Sequence, residues 1–221
     1  MSDKKAGSNS RGFGSMVKLG VILAIYSTVA CVGLAMVYNG TSKIISQRQQ
    51  ADLNEALREL FPDADNFKSI EGISSPDPAV SIEGDPENPL NTGAFAALKN
   101  GTIIGAAIRT SRASYNGSIK IMVGVKADGN ISGVKILEHN DTPGLGANAG
   151  SKTYYVDRAK GIHFYDQFNG KKASDPFTVK NDVIAITAAT ITSRAVAESI
   201  KAAGSAAMAW FASGSAQGGK K

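Results

Sequence analysis

The chain has 221 residues, a formal charge of +5 and a single cysteine, Cys31. That length suits one compact domain with additions. One cysteine excludes an internal disulfide or a thiolate cluster, and two histidines are too few for a histidine metal site, so no metal centre is expected. The first 38 residues carry a net +3, and the remainder mixes 20 basic with 18 acidic side chains, a solvated surface with no nucleic-acid footprint.

Residues 1–15 are polar, basic and rich in glycine and serine, and read as a disordered cytoplasmic tail. Residues 16–38 read as a transmembrane helix, since the 20 positions after Lys18 carry no charge and give about 30 Å of helix, a bilayer core. A cleaved signal would have a shorter apolar core followed by a small-residue site; an uncleaved anchor in the lipid bilayer is expected. Lys4, Lys5, Arg11 and Lys18 lie before or at the entry of the span, against Lys43 and Arg48 just beyond it. The positive-inside rule then keeps the N-terminus cytoplasmic and exports the rest from the cell (inner) membrane as a single-pass protein.

Residues 39–92 read as a membrane-proximal helix and a linker. Ile44-Ile45, Leu53, Leu57 and Leu60 give a partial apolar stripe, Pro62 ends it, and Pro76, Pro78, Pro86 and Pro89 mark a loop. The domain proper is expected over 93–213, followed by a polar, disordered tail over 214–221. Two hairpins open it. Asn100-Gly101 joins 94–99 to 102–109, and Asp128-Gly129 joins 118–125 to 131–137. They predict an antiparallel sheet, and with the flanking helices an α+β fold. Residues 148–175 have weak periodicity and supply aromatic core mass from Tyr154, Tyr155, Phe164, Tyr165 and Phe168. The last helix is expected to start near Thr192 as N-cap, with Val196, Ile200, Ala203, Ala207 and Phe211 on one face.

Chemistry concentrates in two stretches. Thr187, Ala188, Ala189, Thr190, Ile191 and Thr192 follow an apolar run and open that helix. A helix start attracts phosphate through its unpaired N–H groups, and small residues admit a ligand to the backbone. By chemistry alone this is either an anion cradle beside a nucleophilic hydroxyl or an ordinary threonine-rich cap. Thr142, Pro143, Gly144, Leu145 and Gly146 follow a strand; the glycines allow close approach to a flat ligand and Leu145 offers an aliphatic cap. The rival reading is a tight loop after a strand.

The 187–192 stretch resembles the flavinylation motif of the FMN-binding domain family, and 142–146 resembles that family's Thr-Pro-Gly-Leu-Gly segment. Tyr115-Asn116-Gly117 resembles its Tyr-x-Gly turn. The family includes flavin subunits of Rnf-type electron-transport complexes and of sodium-pumping NADH:quinone oxidoreductases. The resemblance implies FMN bound covalently to Thr190 through a phosphoester, attached by a separate flavin transferase that takes FMN from FAD. It implies an electron carrier among other subunits of a membrane complex coupling ferredoxin and NAD to ion translocation, not catalytic alone. The Rnf type is favoured by the short chain and by 187–196; the flavin-carrying C subunit of the quinone reductase, a membrane-anchored flavin sensor and a flavin-free structural subunit are the alternatives. Three departures stand out. Ile184 occupies the place of an acidic residue six before the modified threonine, Asp141 stands for a glutamate, and Ala188 replaces a common glycine.

Overall fold

The structure, a computed structural model, describes residues 9–84 and 93–213. Residues 1–8, the loop prolines Pro86 and Pro89 and the tail over 214–221 lie outside the described residues. The chain divides into two compact units, Met1–Ala51 and Asp52–Lys221.

The first unit is helical. Helix α1 runs over Asn9–Leu60, so 9–15, read above as polar tail, is helical. Its stretch Gly14–Ser42 is long and apolar enough to cross a membrane, and none of that stretch is buried by protein. Leu19, Leu23, Ile25, Val29, Leu34 and Met36 stand exposed along it. The two aliphatic hydroxyls in its middle are satisfied internally: Ser27 Oγ donates to the Leu23 carbonyl at 2.7 Å and Thr28 Oγ1 to the Ala24 carbonyl at 2.8 Å. Such back-bonding lets a polar side chain sit in hydrocarbon without an orphaned donor.

The second unit is built on a six-stranded antiparallel sheet of β1 (Asn66–Ser69), β2 (Val80–Ile82), β3 (Ala94–Lys99), β4 (Thr102–Ser114), β5 (Gly117–Lys126) and β6 (Ile131–Glu138). The path is β1-β3-β4-β5-β6, with β2 added to the far half of β4 through Val80↔Arg112 and Ile82↔Thr110. β1 and β2 come from 39–92, which the sequence reads as helix and linker. Asn100 and Gly101 both have positive φ (50° and 75°), as a two-residue type I′ turn needs. Two short strands, β7 (Tyr155–Asp157) and β8 (Ile162–His163), pair separately.

Period-two alternation splits the strand residues between two covers. Ile119, Ile121, Val123 and Val125 share a core with Val196, Ile200 and Ala203 of helix α2 (Thr190–Ala212). Phe95, Ala97, Ala107 and Met122 pack instead with Leu53, Leu57 and Leu60 at the end of α1 and with Phe61 just after it. The second core needs bare backbone: a Cβ on Gly105 would lie 2.4 Å from the Phe61 ring, and one on Gly133 2.9 Å from Leu60. With both faces covered, β5 is buried without a break from Ile121 to Val125. The long pairing of β4 with β5 ends at Ser114↔Gly117, so the tight turn bearing Tyr115 projects from one end of the sheet.

Candidate functional site

The 187–192 stretch is a turn that becomes a helix. The Ala189 N–H donates to the Ile186 carbonyl at 3.0 Å, closing a turn that holds Ala188 at φ +60°. That is the left-handed region, where a side chain is strained and glycine is favoured. Ser193 clips the turn from inside: its Oγ accepts the Ile186 N–H and donates to the Ala189 carbonyl, both at 2.9 Å and both buried. Sequence reasoning did not single out Ser193; its place seven residues after the end of an apolar run carries no local signal.

The helix start differs from expectation. α2 begins at Thr190, with Ala189 as an N-cap that makes no side-chain hydrogen bond. Thr192 is therefore not the cap but the third helical residue. It is 1 % exposed, and its Oγ1 donates to Asp141 Oδ2 at 2.7 Å. A buried carboxylate outcompetes the local capping role because its hydrogen bond is charge-assisted. The Ser193 N–H closes onto the Ala189 carbonyl, leaving the N–H groups of Thr190, Ile191 and Thr192 as the first-turn donors without an intrahelical acceptor. Thr190 is half-buried, and its hydroxyl has no hydrogen-bond partner among the described residues. Thr187 is exposed, and its N–H donates to the Tyr154 hydroxyl at 3.4 Å. Arg194 points to solvent, one turn further on.

Asp141 draws three separate segments together. Its Oδ2 accepts from Ser114 Oγ at 2.6 Å, at the end of β4, as well as from Thr192. Its Oδ1 accepts the Asn116 N–H at 2.9 Å, in the turn beside Tyr115. Burial pushes the carboxyl pKa up, but the bonds from Ser114, Thr192 and Asn116, with His139 nearby, outweigh it and hold Asp141 below its ordinary value. Immediately after it, 142–145 are exposed and Gly146 is buried, opening a short 3-10 helix over Gly146–Gly150. The two loop glycines serve different needs. Gly144 has φ +77° in open space, whereas a Cβ on Gly146 would meet Thr192 Oγ1 at 2.5 Å and Asp141 Oδ2 at 2.7 Å.

The structure thus joins all three stretches at one end of the sheet. Tyr115 (66 % exposed), Leu145 (39 %) and Ile191 (55 %) each stand out next to a residue tied to or packed on Asp141. Three unsheltered apolar side chains, a free threonine hydroxyl and free helix N–H groups suit a ligand with a flat apolar part and an anionic end. Arg112, behind Ser114, is committed to Asp77 at 3.3 Å and to Glu198 of α2. Ile184 is 49 % exposed, its backbone clamped by Gln167 through bonds of 2.8 and 3.1 Å. Asp182, two residues earlier, accepts the Thr178 N–H through its Oδ1.

Comparison with known proteins gives this arrangement a family context. Residues 114–205 match the FMN-binding domain family and residues 7–60 match the RnfG N-terminal region. The G subunit of the Na(+)-translocating ferredoxin:NAD(+) oxidoreductase complex of Acetobacterium woodii is 33% identical over 83% of this chain and 87% of its own. The G subunit of the proton-translocating ferredoxin:NAD(+) oxidoreductase complex of Clostridium ljungdahlii is 32% identical over 82% of this chain and 85% of its own. A crystal structure of Shewanella oneidensis NqrC, 16% identical, matches with a TM-score of 0.40 over 70% of this chain and 81% of that one.

Proposed function

Since the chain belongs to the family of G subunits of ion-translocating ferredoxin:NAD(+) oxidoreductase complexes, we propose that it carries electrons within such a complex on an FMN joined covalently to Thr190. The relatives' names favour this over the C subunit of a sodium-pumping quinone reductase. The observation that carries the choice of threonine is the contrast among three hydroxyls. Thr192 is buried on Asp141, Thr187 precedes the helix, and Thr190 alone combines an uncommitted hydroxyl with the free N–H groups of the first turn.

Bound there, FMN supplies electron transfer in one- and two-electron steps; the protein contributes position and polarity. The N–H groups of Thr190, Ile191 and Thr192 are the donors for its phosphodiester. Tyr115, Leu145 and Ile191 supply apolar surface for its ring, with Ala188 and Ala189 keeping the approach to Thr190 open. Thr142, Pro143 and Gly144 form the exposed edge of the same loop and offer polar contacts to the ring's heteroatoms. A threonine hydroxyl is a weak nucleophile near neutral pH, so attachment needs a flavin transferase. The threonine O–P bond forms as the phosphoanhydride of FAD breaks and AMP leaves.

Its partners are the other subunits of the complex, and lipid surrounds 14–42. The domain lies outside the cytoplasmic membrane, on the side away from the more basic flank of the span. A reporter active only in the cytoplasm, fused after Lys221, stays silent on this orientation; cytoplasmic activity overturns it.

The deciding experiment is co-expression with a flavin transferase and intact-mass measurement. The chain gains the mass of FMN less one water, Thr190→Ala abolishes the gain, and Thr187→Ala and Thr192→Ala at most reduce it. A flavopeptide that persists in Thr190→Ala removes the assignment.

A further inference from the structure

We infer that Asp141 is the positioning residue of the flavin site, the single carboxylate that holds the Tyr115 turn and the Leu145 loop against the first turn of α2. The inference rests on the FMN reading above and deepens it. Asp141 itself touches none of the three exposed apolar side chains through a recorded bond; it acts through their neighbours. Tyr115 lies between Ser114 and Asn116, both of which donate to the carboxylate. Ile191 lies between Thr190 and Thr192, and Thr192 donates to the same carboxylate. Leu145 adjoins Gly146, which is packed so closely on Asp141 and Thr192 that no Cβ fits. A further tie, Asn116 Nδ2 to the Asn140 carbonyl at 2.8 Å, fastens the turn to the same loop. Each apolar side chain is thus one residue from a contact with Asp141, and the threonine proposed to carry FMN is two residues from one.

The donor set makes the role separable from simple charge. Two of the three donors are hydroxyls, which can turn and accept instead; the Asn116 N–H cannot. In Asp141→Asn the side-chain oxygen can stay on the Asn116 N–H while its amide donates to Ser114 and Thr192, so all three ties survive although the charge is gone. Asp141→Ala keeps none. A carboxylate that mattered only through its field on the flavin would make the two variants alike.

The test uses the full chain co-expressed with a flavin transferase. It reads the rate of FMN attachment, and the visible circular dichroism of the flavin per FMN attached. Asp141→Ala is expected to slow attachment by about tenfold or more, the scale on which misplacing a reacting group acts, and to flatten the flavin dichroism. Asp141→Asn is expected to stay within about threefold of wild type, since its hydrogen bonds are exchanged and not lost. Ser114→Ala and Thr192→Val each remove one tie and serve if Asp141→Ala does not fold; each should reduce the flavin dichroism while far-ultraviolet dichroism is kept. Folded Asp141→Ala, or folded Ser114→Ala and Thr192→Val, with wild-type attachment and wild-type flavin dichroism overturn the inference alone. So does an Asp141→Asn as defective as the alanine variant. A wild-type chain that never takes up FMN overturns both the flavin reading and this inference.

Discussion

Replacing Gly146 with alanine should be among the most damaging one-carbon changes in the domain. The added Cβ would sit 2.5 Å from Thr192 Oγ1 and 2.7 Å from both Asp141 Cβ and Asp141 Oδ2. Neither neighbour can swing into solvent, since Thr192 is 1 % and Asp141 5 % exposed. Overpacking of this kind costs about 1–3 kcal/mol. Prising Thr192 from the carboxylate adds about 1.5–3 kcal/mol, the scale of a hydrogen bond to a charged group. At about 2–4 °C per kcal/mol for a chain of this size, the melting temperature should fall by roughly 10 °C. Gly144→Ala is the control from the same loop. With φ +77° and open space around it, it meets only the left-handed penalty of about 1–2 kcal/mol, partly offset by a less flexible unfolded chain. Thermal melting of the full chain in detergent, followed by near-ultraviolet circular dichroism, compares them. A Gly146→Ala protein melting within about 2 °C of wild type, or above Gly144→Ala, would show that the close contact does not exist.

Four other substitutions and conditions follow from the same geometry. Ala188→Gly relieves the φ of +60° and should stabilise the chain by up to about 1 kcal/mol; a lower melting temperature would contradict the strained turn. Ser193→Ala orphans the buried Ile186 N–H and should cost about 1–3 kcal/mol in chemical denaturation; a change below about 0.5 kcal/mol would mean the clip is idle. Ile184→Asp restores an acid at an exposed position and should alter stability by no more than about 0.5 kcal/mol while speeding FMN attachment; an unchanged rate would show that the transferase does not read this site. Because the folded-state pKa of Asp141 lies below its ordinary value, its stabilisation is complete above that ordinary value and is lost as pH falls through the folded one. Asp141→Asn should therefore flatten the acid limb of a stability–pH profile; equally steep limbs would assign the acid lability to other groups.

What the sequence revealed follows the range of the forces involved. The apolar run, the Asn100-Gly101 turn and the alternation of 119–125 are local signals, and helix, hairpin and sheet formed where they indicated. Capping propensity is also local, and it puts the N-cap of α2 at Thr192, three residues beyond Ala189. The partner that takes the Thr192 hydroxyl lies 51 residues away in the chain. Asp141 could be read only as a substitute for a glutamate, since its importance comes from Ser114 and Asn116, which the β4–β5 pairing delivers. β1 and β2 went unseen because strands of four and three residues carry too short a pattern and are specified by the edges they join. The three exposed apolar side chains of the site were each inside a recognised stretch, yet only the fold brings those stretches to one end of the sheet.

The bare strip left by Gly105 and Gly133 bears on how the domain can be cut. Leu60 and Phe61 fill it, and Leu53, Ala56 and Leu57 extend the cover over that face of the sheet. A soluble fragment begun at the first hairpin, near residue 93, would keep every residue of the flavin site yet present a naked apolar trough to water. Such a fragment should self-associate through that trough. One begun at Asp52 carries its own plug, which makes the last turns of α1 the place where a crystallisation boundary belongs.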